Sequence, residues 1–187
     1  MTQTISLESL GIHAPVPEKT EVDYKFCGEV SDLYVWRLKN TLKNGITKAI
    51  WNYLSEREER SKTTWTGLCI FYGQENRMTK QKRLRIRTAI KTNLPKELIP
   101  FVKGHEETHA LEAICGNLQA SDELCKAAKN CRLTTRIPIV SSESLADYGG
   151  IIALRRTNQD ETNFAKSLES ADNSFGIFRR RAYKIAW

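Results

Sequence analysis

The sequence predicts an α+β fold: a small, mostly antiparallel sheet packed on one helix, with additional helices around it. Three observations carry this expectation. Leu84, Ile86, Thr88 and Ile90 alternate with Arg83, Arg85 and Arg87, the period-two signature of a half-buried strand. Leu33, Trp36, Leu38, Leu42, Ile46, Ile50 and Leu54 recur at helical spacings. A further helical stretch is bounded by Pro100, whose missing N–H costs nothing in a first turn, and by Gly116-Asn117, a helix stop.

The elements follow in order. Residues 1–20 are polar, with Pro15 and Pro17 close together, and read as an extended arm. Residues 31–60 are helical, broken near Asn44-Gly45. Thr63 to Tyr72 is rich in Thr, Trp, Ile and Phe and reads as a strand closed by Gly73. Arg83 to Ile90 is the second strand, its arginines forming a positive ridge that faces either solvent or a ligand. The helix opened by Pro100 runs to about Cys115. Ser121 and Glu123 open a short helix that ends near Asn130. Arg132 to Val140 is a candidate strand that Pro138 demotes to an edge or a loop. Ser141 or Ser142 is placed to cap a helix from Glu143 to Arg156. Phe164 to Leu168 is helical, and residues 175–187 form a tail in which Phe178, Tyr183 and Trp187 surround Arg179-Arg180-Arg181. Those aromatics suit a docked tail, and inhibition by it is an open alternative to a solvated end.

A chain of 187 residues with 40% apolar composition, four Trp, six Tyr and six Phe suits one domain, 1–187, with one core. No apolar run approaches the length of a membrane-crossing helix, so no membrane partner is expected. The N-terminus lacks the basic and apolar regions of a secretory signal, and five cysteines cannot all pair. Both facts point to reduced thiols and a cytoplasmic setting. The net charge of +7, concentrated at Lys80 to Lys91 and Arg179 to Lys184, leaves room for an acidic partner such as nucleic acid.

The chemistry-bearing motif is His105-Glu106-Glu107-Thr108-His109. Residues four apart share a helix face, so both histidines can aim a ring nitrogen at one Zn²⁺. Glu106 beside them suits a general base that takes a proton from a metal-activated water. A catalytic zinc site has three protein ligands, and the one remaining histidine, His13, lies upstream in the arm. The third ligand is therefore expected to be a carboxylate. Glu143 is the leading candidate, and Asp147, one turn later, can accept the second ring N–H of a ligand histidine. Glu112, three residues after His109, is a rival that reads better as support or surface. A ligand on the same helix would crowd one side of the metal. Glu107 is expected to face solvent. The small Ala146, Gly149 and Gly150 would let the Glu143 helix pack closely on the motif helix.

His-Glu-x-x-His followed by Glu143-x-x-Ala146-Asp147 and then Gly149-Gly150 resembles the signature pair of the gluzincins, zinc peptidases typified by thermolysin and neprilysin. The resemblance covers about Phe101 to Arg156. It implies a zincin-like fold, Zn²⁺ on His105, His109 and Glu143, Glu106 as the catalytic base, and Asp147 as partner of a ligand histidine, His105 in particular. It also implies a protein or peptide substrate, aligned on an edge strand upstream of the metal helix, either Arg83 to Ile90 or Thr63 to Tyr72. In size the chain is closer to the compact minigluzincins. The downstream histidine that stabilises the oxyanion in the larger enzymes has no match here, which leaves Tyr148, Tyr183 or an arginine for that role. The alternatives are a basic nucleic-acid-binding or regulatory domain with a structural or vestigial metal site, and an intracellular protease that cuts one regulatory partner.

Overall fold

The computed structural model describes residues 3–30, 67–133 and 141–157. The expected helices over 31–60 and 164–168, residues 134–140 and the tail 175–187 lie outside them. The described chain is mixed α and β. It has strands β1 (Thr4–Leu7), β2 (Ile12–Pro15), β3 (Thr20–Glu29), β4 (Gly67–Glu75) and β5 (Lys82–Ile90). Helices α1 (Ile99–Cys115), α2 (Asn117–Asn130) and α3 (Ser142–Arg156) follow.

The N-terminal residues are not an arm. β1 and β2 pair antiparallel through a turn in which Gly11 takes a φ of 64°, a conformation that favours glycine. Leu7, Leu10, Ile12, Ala14 and Val16 are buried in the main core. Their apolar signal is short and interrupted by polar residues, so it is weak in sequence. It becomes a core face only when the hairpin folds over the helices.

The second sheet has the order β3-β5-β4, with β3 parallel and β4 antiparallel to β5. The alternation in β5 behaves as expected. Ile86 and Thr88 are fully buried, while Arg83 and Arg85 stay exposed. Because β3 runs in register beside β5, acids stand opposite the arginine ridge. Arg83 Nη2 lies 2.9 Å from Glu21 Oε1, and Arg87 Nη2 lies 2.7 Å from Asp23 Oδ2. The ridge is thus one half of a mixed-charge face. The Arg87 hydrogen bond holds the Asp23 carboxyl below its ordinary range. β4 continues through Gly73 to Glu75 rather than ending there.

Pro100 lies in the first turn of α1, and Gly116, at φ 82°, ends it. α2 begins at once, four residues ahead of the expected Ser121. Ser141 caps α3, its Oγ accepting from Ser144 N at 3.2 Å. α1 and α3 pack at close range through glycines. A Cβ on Gly150 would lie 2.8 Å from Phe101, one on Gly104 would lie 2.7 Å from the Gly149 carbonyl oxygen, and one on Gly149 would collide with Thr108 Oγ1. This contact brings Glu143 and Asp147 against the motif helix.

Candidate metal centre

The site is built where α1 and α3 touch. His105 and His109 are one turn apart on α1, and their Nε2 atoms lie 3.2 Å from each other. Glu143, in the first turn of α3, reaches both: Oε2 is 3.4 Å from His105 Nε2 and Oε1 is 3.5 Å from His109 Nε2. An acidic residue at a helix N-terminus is also favoured by the helix dipole. These three residues could hold a metal ion.

Each imidazole is gripped on its other nitrogen. His105 Nδ1 lies 2.9 Å from Asp147 Oδ1, and His109 Nδ1 lies 3.0 Å from Glu112 Oε2. A carboxylate accepts and does not donate, so both Nδ1 atoms carry the hydrogen. The Nε2 lone pairs of neutral rings then point at one another and at the Glu143 oxygens. Such a convergence of electron-rich atoms requires a cation, either a proton on one ring or a metal ion.

The protonation of His105 follows from this arrangement. Burial opposes its charged form, but the hydrogen bonds to Asp147 and Glu143 and the nearby Glu106 charge outweigh it, and its pKa is raised to about 9. A raised folded-state pKa contributes stability that is complete below the unfolded value near 6.5 and is lost as pH rises through the folded value. Protein held metal-free by a chelator is therefore expected to lose stability, on the order of 3 kcal/mol, as pH rises from about 6.5 to 9. Urea unfolding at the two ends of that window measures it. Equal midpoints would show that His105 is not charged in the folded chain.

Glu106 is buried, and its Cγ would lie 2.8 Å from a Cβ placed on Gly67 at the start of β4. Nothing in sequence marked Gly67, because the two meet only when β4 lies along α1. Cys69, on the same face of β4, is likewise close to this cluster. Burial, then the Glu106 and Glu112 charges, push its thiol pKa up. No disulfide is formed among the described residues.

Two expectations about the site are corrected. Glu107 does not face solvent. It is 8% exposed, and its carboxylate accepts from Ser9 N at 2.9 Å, Ser9 Oγ at 3.0 Å and Leu10 N at 3.2 Å. Tyr148 is not at the metal group. It is buried in the core, and after burial itself the groups that push its pKa up to about 12 are Cys125 and Cys131, on and beside α2. One residue after Asp147 on a helix is about 100° around the axis, which turns it away from α1's histidines. Tyr183 lies outside the described residues. Glu112, in sequence a rival ligand that reads better as support, is the partner of His109. Ser142, seen in sequence only as a possible cap, donates to Glu112 Oε2 at 2.6 Å.

The fold and the site together define a class no narrower than an α+β protein with a two-histidine, one-glutamate group able to hold a metal. Comparison with protein-family models, with curated proteins and with solved structures finds no match. No helix among the described residues is long and apolar enough to cross a membrane.

Proposed function

We propose that the chain is a zinc-dependent metallopeptidase, a compact gluzincin-like enzyme with a zincin-like arrangement of sheet and metal helix. One observation carries the proposal: the spacing of 3.2, 3.4 and 3.5 Å among His105 Nε2, His109 Nε2 and the Glu143 oxygens. Zinc bonds nitrogen and oxygen at about 2.0–2.2 Å, so tetrahedral ligand atoms stand about 3.3–3.6 Å apart. Two imidazoles with one carboxylate suit zinc better than magnesium or calcium, which favour oxygen ligands. Three protein ligands leave a fourth position open, as hydrolytic sites require. Glu143 is 67% exposed on its side chain, so the group is reachable from solvent.

Held by His105, His109 and Glu143, zinc would supply Lewis-acid polarisation of a scissile carbonyl and would make a water molecule more acidic. The chain's own residues supply the rest. Glu106 takes the proton from the attacking water and delivers it to the leaving amine. Asp147 holds the His105 ring in the tautomer that frees Nε2. β5 is paired on both sides, so it does not receive substrate. β4 is an edge among the described residues and runs past Glu106, which suits backbone pairing with an extended peptide or protein substrate. With Tyr148 turned away, Tyr183 is the tyrosine left for the oxyanion role. A cytoplasmic setting fits cysteines that form no disulfide among the described residues.

The test is metal content. Purified wild-type protein is expected to hold about one zinc per chain, in line with a structural affinity for three protein ligands. His109→Ala should hold none. Wild-type protein that carries no metal after zinc loading and dialysis would end the proposal.

A further inference from the structure

Glu112 has surroundings that a supporting surface residue does not need. Its side chain is only 7% exposed. Oε2 accepts from Ser142 Oγ at 2.6 Å and from His109 Nδ1 at 3.0 Å. Oε1 is buried with no hydrogen-bond partner. A carboxylate with one unpartnered oxygen is costly to bury, and such exceptions in folded proteins call for an explanation.

We infer that Glu112 is a positioning residue that holds two of the three metal-facing side chains in register. This rests on the metal-site reading above. A neutral imidazole has two tautomers. With the hydrogen on Nε2, His109 would present a donor where a ligand lone pair is needed. The Glu112 carboxylate at Nδ1 selects the other tautomer and makes Nε2 more electron-rich. The second arm of the brace runs through Ser142. That residue precedes Glu143, so the carboxylate ties the His109 ring to the first turn of α3. Ser142 Oγ also lies 3.3 Å from His109 Nδ1, which closes the triangle. The spacing of His109 Nε2 from the Glu143 oxygens is then set by one buried carboxylate, while Asp147 performs the tautomer-selecting half of this task for His105. The unpartnered Oε1 leaves the carboxylate's charge less neutralised, which strengthens its pull on the Nδ1 hydrogen.

The test uses the full chain with ¹⁵N-labelled histidine, metal-free at mildly alkaline pH. Long-range ¹⁵N–¹H correlations report the tautomer of His109. Wild type is expected to carry the hydrogen on Nδ1. Glu112→Met, of similar length but with no acceptor, should lose that preference, and Glu112→Gln, which retains an acceptor, should keep it. Zinc titration against a chelating indicator should then show affinity weakened about 10- to 100-fold in Glu112→Met, largely recovered in Glu112→Gln, and reduced to a smaller extent in Ser142→Ala. A folded Glu112→Met that keeps the wild-type tautomer, or that binds zinc as wild type does, overturns the inference. Should Glu112→Met not fold, the wild-type spectrum decides: an Nε2 hydrogen on His109 overturns the inference and an Nδ1 hydrogen supports it. A wild type with the Nδ1 hydrogen that binds no zinc removes the peptidase proposal but leaves the grip of Glu112 on His109 standing, so the two failures are distinct.

Discussion

Glu106→Gln is expected to retain the fold and a full complement of metal while peptide hydrolysis falls by about 10²–10⁴-fold, the usual contribution of a positioned general base. The two parts of that expectation come from different features. Glu106 is absent from the group of His105, His109 and Glu143, so replacing it removes no ligand. Gln has the same length and fits the same space against Gly67, so packing changes little. What it loses is the ability to take a proton. Turnover of a quenched peptide library, measured beside zinc content, separates the effects. Unchanged turnover in a zinc-loaded variant would sink the peptidase assignment, and lost zinc would show that Glu106 belongs to the metal group.

Glu107→Ala, one residue on, is expected to act on stability, by about 3–5 kcal/mol. The carboxylate binds the turn of the β1–β2 hairpin, and Leu10 N in particular is buried. Removing it strands two backbone N–H groups and frees the hairpin, whose Leu7, Leu10 and Ile12 belong to the core that also contains Phe101 and Leu111. Glu107→Gln should be far milder. Burial raises the Glu107 pKa more than its three hydrogen bonds lower it, so the charge itself is not what holds the hairpin. Gln keeps an acceptor and drops the charge. Chemical denaturation of the three proteins measures the difference. A loss below about 1 kcal/mol for Glu107→Ala would mean that the hairpin docks through its apolar residues alone.

These neighbouring glutamates show where sequence was legible. Three and four residues is a helical repeat, so the shared face of His105 and His109, and the reach from His109 to Glu112, follow from spacing once α1 is recognised. The strict alternation in β5, the proline and glycine bounding α1 and the serine cap of α3 are equally local signals, and each agrees with the structure. The pairing of Asp147 with His105 needed only the assumption that α3 packs on α1, for which Gly149 and Gly150 were a visible cue. Gly104 completes the close approach from α1's own side, where nothing in its local sequence marks it.

The residues that sequence misjudged are those whose role depends on a partner far away in the chain. Glu107 is polar and sits among polar residues, so it reads as exposed; its partners are 97 and 98 residues earlier. Arg83 and Arg87 read as a free positive ridge until β3 supplies Glu21 and Asp23 in register. Tyr148 neighbours Asp147 in sequence, yet the 100° step of the helix sends it toward α2.

Sequence by itself determined which residue types stand at metal-ligand spacing and which helices carry them, because helical periodicity acts over a single turn. Tertiary structure alone decided that Glu143, the leading candidate in sequence, comes within reach of both histidines, that β4 and not β5 is the edge beside Glu106 among the described residues, and that the N-terminal residues belong to the core. The physical reason is the same in each case. Burial and hydrogen-bond satisfaction are properties of surfaces brought together by packing, and a buried carboxylate or a paired strand is defined by what arrives opposite it.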